Sequence, residues 1–285
     1  MHSAQELVTH IEALTSLPSV YVRIREELES EHSSMTEVAQ VLGADPALTT
    51  RLLQVVNSAL YGFGGKIDTV HRAVTILGLQ HVHDLVLAMS VGTVFKNILP
   101  EHLDMRRFWR ASVMCGLAAR EIGLRADAAA PERLLVMGLL ADVGHLVLFQ
   151  TVPGLAAQAL AESERSGEPL QAAERRIVGC DHAETGATLM DHWRLPACFA
   201  QAIGAQNTPR LGGSFVTEAC ILNLATHIVA ADRLALTSEA AAAQVDPLVW
   251  SQLGLEPDSF GAMRAVAELD LASYVALLFP STSSY

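Results

Sequence analysis

Apolar residues recur along this chain at spacings of three and four, and no segment alternates cleanly with period two over six or more residues. The pattern predicts helices throughout and no strand. Ser34 with Glu37 forms a capping box ahead of a short helix that Gly43 closes. Asp45 as N-cap and Pro46 at the first helical position open the next helix, whose Leu48, Leu52, Val55, Val56 and Ala59 make one apolar stripe. It runs into Tyr61-Gly62-Phe63-Gly64-Gly65-Lys66, a loop whose glycines permit backbone angles that other residues avoid. Thr69 caps a helix that stops at Gly78, and residues 81–97 form a strongly apolar one. Further helices are predicted from Asp104 to Gly123 and from Pro131 to Leu140, with Ala141 to His145 following without a break. Others cover 153–166, Leu170 to Val178, His182 to Trp193, 216–235, 247–253 and 258–279. The segment 206–214 is the most linker-like, and Ser281 to Tyr285 is a polar tail expected to be disordered.

Composition strengthens the helical reading, because 51% of the 285 residues are hydrophobic but only 5% are aromatic. A chain of this length buries roughly 75% of its unfolded surface, so a large core is available. No uninterrupted apolar stretch reaches the ~18 residues of a membrane span, and the run from Leu85 to Phe95 is too short. No membrane association is expected. The N-terminus lacks the basic start and apolar run of a secretion signal, which points to the cytoplasm. Cys115, Cys180, Cys198 and Cys220 have no CxxC spacing and read as buried or half-buried thiols. The formal charge of −12 opposes any general affinity for nucleic acid or anionic lipid and fits a protein that meets other proteins.

Candidate chemistry is sparse. Residues 34–58 have the outline of a helix-turn-helix, but Arg51 is their only basic residue, against Glu37 and Asp45, so phosphate contacts are lacking and no nucleic-acid binding is expected. In His81-Val82-His83-Asp84 the two histidines point about 200° apart on a helix, and the group reads as a solvated helix start. Asp191-His192 and His227 with Asp232 lack the spacing that puts two ligands and a base on one face. The Gly62 to Lys66 loop lacks phosphate-loop spacing and follows a helix. Arg106-Arg107 and Arg175-Arg176 read as exposed ion pairs.

Six pieces stand in order along the chain: Leu17-Pro18; Asp45-Pro46 through Asn57-Ser58 to Tyr61-Gly62; Val70 to Gly78; Phe108-Trp109-Arg110; Gly138 to Gly144; and Asp181-His182 through Gly186 to Trp193 and Pro196. Together they resemble the HDOD family, the HD-related output domain of bacterial signalling proteins. The resemblance implies an all-α, HD-domain-like multi-helix bundle, with the HDOD domain over 7–205 and a helical C-terminal extension over 206–280 packed on it. Catalytic HD relatives carry adjacent metal-binding His and Asp, and here Ala141-Asp142-Val143-Gly144-His145 stands in that place, with His145 where a lysine is usual. An alanine methyl has no lone pair to replace an imidazole. By the same comparison ligands are lost at Ala111 and Ala205, while Asp142, His182 and, in a looser alignment, Asp232 remain as vestiges.

Two or three residual ligands fall short of a dependable centre, so neither metal nor cofactor is expected. Asp142 is expected to cap a turn or to bond neighbouring backbone N–H groups, and His182 to be a satisfied histidine. The resemblance therefore implies a non-catalytic signal-transduction output or scaffold module that contacts other signalling proteins. A residual phosphohydrolase and a nucleotide-sensing module stay open as alternatives, as do a homodimer and a cyclic nucleotide as partners.

Overall fold

The structure is a computed structural model that describes residues 1–11, 17–29, 34–58, 61–63, 65–95, 103–269 and 271–279, excepting the side chains at 29, 92 and 93. The tail expected over 281–285, Ala59 of the expected stripe and Gly64 of the glycine loop lie outside those residues. Among the described residues every regular element is helical. The chain runs α1 (Ala4–His10), α2 (Ser19–Glu29), α3 (Met35–Gly43), α4 (Pro46–Val56), α5 (Val70–Leu77), α6 (Leu79–Val94), α7 (Met105–Arg125), α8 (Pro131–Leu140) and α9 (Val143–Thr151). It continues through α10 (Pro153–Ser166), α11 (Leu170–Ile177), α12 (His182–His192), α13 (Ala197–Ala205), α14 (Val216–Arg233), α15 (Ser238–Ala242), α16 (Pro247–Leu253), α17 (Phe260–Glu268) and α18 (Leu271–Leu278).

Two compact units result. One comprises Met1–Leu14 with Ile98–Leu271, the other Thr15–Asn97 with Ala272–Tyr285. The division runs through the expected 7–205 segment, and it assigns the two ends of the expected 206–280 extension to different units.

In the second unit, α2 to α6 enclose Tyr21, Ile24, Leu42, Leu52, Ile67, Leu85 and Met89, all fully buried. Local caps start the helices as the sequence predicts. Ser34 Oγ accepts from Glu37 N at 3.2 Å while donating to Glu37 Oε2 at 2.7 Å, and Asp45 Oδ1 accepts from Leu48 N at 3.0 Å with Pro46 behind it. Asn57 clasps the following loop: its Oδ1 accepts from Ile67 N at 2.8 Å, and its Nδ2 donates to Ile67 O and Leu53 O at 2.7 Å each. Within that loop Gly62 takes φ +56°, and Tyr61 Oη lies 2.9 Å from His81 Nε2. Ser58 Oγ donates to Val55 O and accepts from Tyr274 Oη at 3.2 Å, which ties α18 to this unit. The motif residues Asp45, Pro46, Asn57, Ser58, Tyr61 and Gly62 thus hold backbone in place. Replacing Asn57 by alanine removes three hydrogen bonds and is expected to cost about 1–3 kcal/mol. Thermal denaturation of the variant checks this, with Asn57→Asp, which keeps the acceptor for Ile67 N, losing less.

Four expectations need correction. His83 and Asp84 are not solvated: each is under 5% exposed, and the His83 ring packs 4.8 Å from that of Tyr21. The reason is that α6 is apolar on nearly every face beyond its first turn, so Val82 to Val91 are enclosed while Gln80 stays exposed and His81 half-buried. The segment 206–214 is not a linker: Gln206, Pro209 and Gly212 are buried, and two tight turns, Pro209–Leu211 and Gly213–Phe215, pack on α14. The helix expected over 258–279 divides, because Leu269 is extended at ψ 125° after α17. Finally, Pro131–Thr151 and Gly213–Arg233 are long and apolar enough by composition to span a membrane, and α5 with the first part of α6 would make a third stretch, bent by 117°. The most apolar windows of the first two are 78% and 50% buried inside the protein.

The first unit is built on the antiparallel pair α7 and α8. A Cβ on Gly138 would lie 2.7 Å from Cys115 O, so glycine is what lets the two backbones meet. The four cysteines are buried free thiols. Around that pair, α9, α12, α13 and α14 bury Ile203, Leu222, Leu146 and Phe199, and the break between α8 and α9 falls at Ala141-Asp142.

Candidate functional site

Chain order alone separates Asp142, His145, Glu174, His182 and Asn207, and the first unit brings them together at the break between α8 and α9. Asp142 occupies the N-cap position of α9, but its carboxylate accepts no capping bond. That corrects the expectation of a turn cap: φ −104° and ψ 7° are not the extended angles from which an N-cap side chain folds back on its helix. The carboxylate is left half-buried.

His145 follows one turn later on α9. His182 opens α12, whose N-cap Asp181 accepts from Glu184 N at 2.8 Å. The two helices can cross here because residues 144 and 186 are glycines. A Cβ on Gly144 would overlap the carbonyl oxygen of His182 and lie 2.8 Å from Gly186 N. As a result the rings of His145 and His182 stack with centroids 4.1 Å apart and planes 20° apart.

Glu174, on α11 and only 2% exposed, joins both rings from behind. Its Oε2 accepts from His182 Nδ1 at 2.6 Å and from His182 N at 3.0 Å, and its Oε1 lies 3.1 Å from His145 Nδ1. Burial alone would raise the Glu174 carboxyl, but the two facing imidazoles outweigh it and hold the group well below the usual 4.5. Burial likewise opposes charge on His182. Glu174, with Asp142 and Asp181 adding their fields, overcomes it and pushes the imidazole up to about 9.

One carboxylate oxygen of Asp142 and one ring nitrogen each from His145 and His182 lie within 4.8 Å of one another. Since Glu174 takes both Nδ1 atoms, the nitrogens that remain for a ligand are the Nε2 atoms. Asn207 Nδ2 stands 3.4 Å from His182 Nε2. The chain past α13 supports the same wall: Gln206 Nε2 donates to Ala141 O at 2.7 Å, and Asn223 Nδ2 donates to Gln206 O at 2.7 Å.

The other singled-out positions take structural places. Ala141 is fully buried, Ala205 nearly so, and Ala111 sits half-buried on α7. Asp232 is not in the donor group, because Arg110 holds its Oδ2 at 2.6 Å and Arg264 lies 3.9 Å from its Oδ1. His227 bonds within its own helix to Asn223 O. Trp193 is a buried C-cap and Pro196 leads into α13. Arg176 meets Glu168 at the surface, whereas Arg175 reaches the fully buried Asp181 at 2.8 Å, so that pair is only half exposed. Glu174 was not singled out from the sequence, although a signal existed: with Leu170, Ile177 and Val178 it shares one apolar stripe at i, i+4, i+7 and i+8.

Comparison with known proteins agrees with this architecture. A family model described as HDOD domain matches residues 14–209. A crystal structure of an HDOD domain protein of unknown function from Geobacter sulfurreducens superposes with a TM-score of 0.75, covering 97% of this chain and 98% of that one at 20% identity. Another, from Shewanella amazonensis SB2B and provisionally named a phosphohydrolase, gives 0.73 over 99% and 98% at 23% identity. A third, from Marinobacter aquaeolei VT8 and provisionally named a signal transduction protein, gives 0.69 at 21% identity, over 96% of this chain and 60% of that one. An uncharacterized protein of Treponema pallidum (strain Nichols) is 25% identical over 197 residues, and the match spans 68% of this chain but only 37% of that protein.

Proposed function

Because the chain belongs to the HDOD family, we propose that it is a signal-transduction output or scaffold module that acts through protein contacts and turns over no phosphoester. The observation that carries this reading is Ala141. A buried methyl stands where hydrolytic relatives present an imidazole beside Asp142, and the carbonyl of the same residue is already taken by Gln206. What remains is three donors around a single point, too few to hold two metal ions astride a phosphoryl group. The provisional name of the Marinobacter structure supports a signalling role, and the charge of −12 supports protein partners over nucleic acid or anionic membranes. On this reading the protein works in the cytoplasm with other signalling proteins.

The convergence of Asp142, His145 and His182 favours one rival, a residual phosphohydrolase, which the provisional name of the Shewanella structure also suggests. Assays on cyclic dinucleotides and generic phosphodiesters, with the protein loaded in turn with Mn2+, Fe2+ and Zn2+, separate the two. No turnover above background is expected. Turnover that disappears in Asp142→Ala would establish the hydrolase and overturn the proposal.

A further inference from the structure

We propose that Asp142, His145 and His182 form a mononuclear site for a first-row divalent transition metal ion such as Zn2+, with Glu174 orienting both histidines. The site differs from a hydrolase pair with one ligand missing. His145, one turn along α9 from Asp142, supplies the imidazole that Ala141 cannot, so the donor set has moved along the helix.

Three observations converge on this. The first is reach: one ligand atom from each of the three side chains lies within 4.8 Å of the others. Bonds of about 2.0–2.2 Å to one tetrahedral ion put its donors roughly 3.3–3.6 Å apart, so rotations of the side chains that close the group by up to about 1.5 Å bring all three into range. The second is donor chemistry. Two imidazoles and a carboxylate, without thiolate, suit Zn2+ and its first-row neighbours, whereas Mg2+ and Ca2+ take oxygen ligands. Three protein ligands also leave a position open for water or for a group from a partner.

The third is the support behind the ligands. Metal-binding histidines characteristically donate their other ring N–H to a carboxylate, which fixes the tautomer and aims the lone pair. Here one buried carboxylate serves two rings at once, with Oε1 on His145 Nδ1 and Oε2 on His182 Nδ1, and the backbone N–H of His182 anchors it. Both Nε2 atoms are thereby committed to the side away from Glu174. A purely structural role for Glu174 requires only one such bond, and it leaves unexplained why Asp142 stands at an N-cap position without capping.

The test uses the full chain, purified without chelators and then stripped. Elemental analysis and titration calorimetry with Zn2+ are expected to give one equivalent per chain, and Co2+ is expected to give a visible d–d absorption band. His145→Ala and Asp142→Ala should lose stoichiometric binding, and Glu174→Gln, which keeps the shape but weakens the acceptor, should bind ~10–100-fold more weakly. Circular dichroism confirms that each variant is folded. His227→Ala, on α14 and bonded within its own helix, should bind as the parent does. Absence of saturable binding to the folded parent, or binding unchanged in His145→Ala, overturns the site. These readouts are independent of turnover: metal bound without hydrolysis leaves both proposals standing, and hydrolysis overturns only the proposed function.

Discussion

Replacing Glu174 by alanine is expected to destabilise the protein by roughly 3–5 kcal/mol, the usual cost of removing one partner from a buried, hydrogen-bonded charge pair. The expectation follows from what is left behind. Two imidazole N–H groups and the backbone N–H of His182 lose their acceptor in a place where Glu174 itself is only 2% exposed. Water has little access to replace it, so the desolvation cost of those donors falls on the folded state. Urea denaturation of parent and variant in a chelator-containing buffer measures the difference without interference from metal. A loss under about 1 kcal/mol would mean that the carboxylate contributes little to holding α9, α11 and α12 together.

The same pair sets a pH dependence whose sign can be worked out. His182 is raised from 6.5 to about 9 in the folded protein, so its contribution is fully present below pH 6.5 and is lost as pH rises through about 9. Glu174 is lowered from 4.5, so its contribution is present above that value and is lost as pH falls below it. The two statements describe one interaction seen from its two ends and are not added. In metal-free buffer the parent is therefore expected to lose stability steadily between pH 6.5 and 9. Glu174→Gln should lose most of that slope, because no anion then opposes deprotonation of the ring.

How legible these features were in the sequence depended on how far their causes lay along the chain. The caps at Ser34, Asp45 and Thr69 are readable because each involves a side chain and an N–H three residues apart. The all-helical class followed from spacing, and the ordered family pieces led to the HDOD fold. Contacts between distant segments were harder. His83 and Asp84 looked solvated because charge and spacing were read without the helices that cover them. Asp232 reads as a remnant ligand only in a loose alignment, and Arg110, 122 residues away, holds it elsewhere. Asp142 and His182 read in the sequence as leftovers of a missing site, and His145 only as a stand-in for a lysine. Their relation became visible only through Glu174, a carboxylate on an apolar stripe whose partners arrive from two other helices.

Gly144→Ala is expected to have the largest effect of any single methyl in the first unit, at least about 4 kcal/mol and enough to prevent stable folding under ordinary conditions. The added Cβ would overlap His182 O and come within 2.8 Å of Gly186 N, and both are backbone atoms that cannot rotate aside. Relief requires α9 to move away from α12. That motion would separate the stacked rings of His145 and His182 and pull His145 off Glu174, so the site and the helix crossing fail together. Gly154→Ala is the matched control, since a Cβ there meets nothing within 4 Å. At the start of α10 alanine should be neutral or stabilising by up to about 1 kcal/mol through helix propensity. Melting temperatures and soluble yields of the two variants decide the matter. If Gly144→Ala melted with the parent, α9 would have room beside α12 that this crossing does not contain, and the tight approach of the two helices could not be what positions Asp142, His145 and His182.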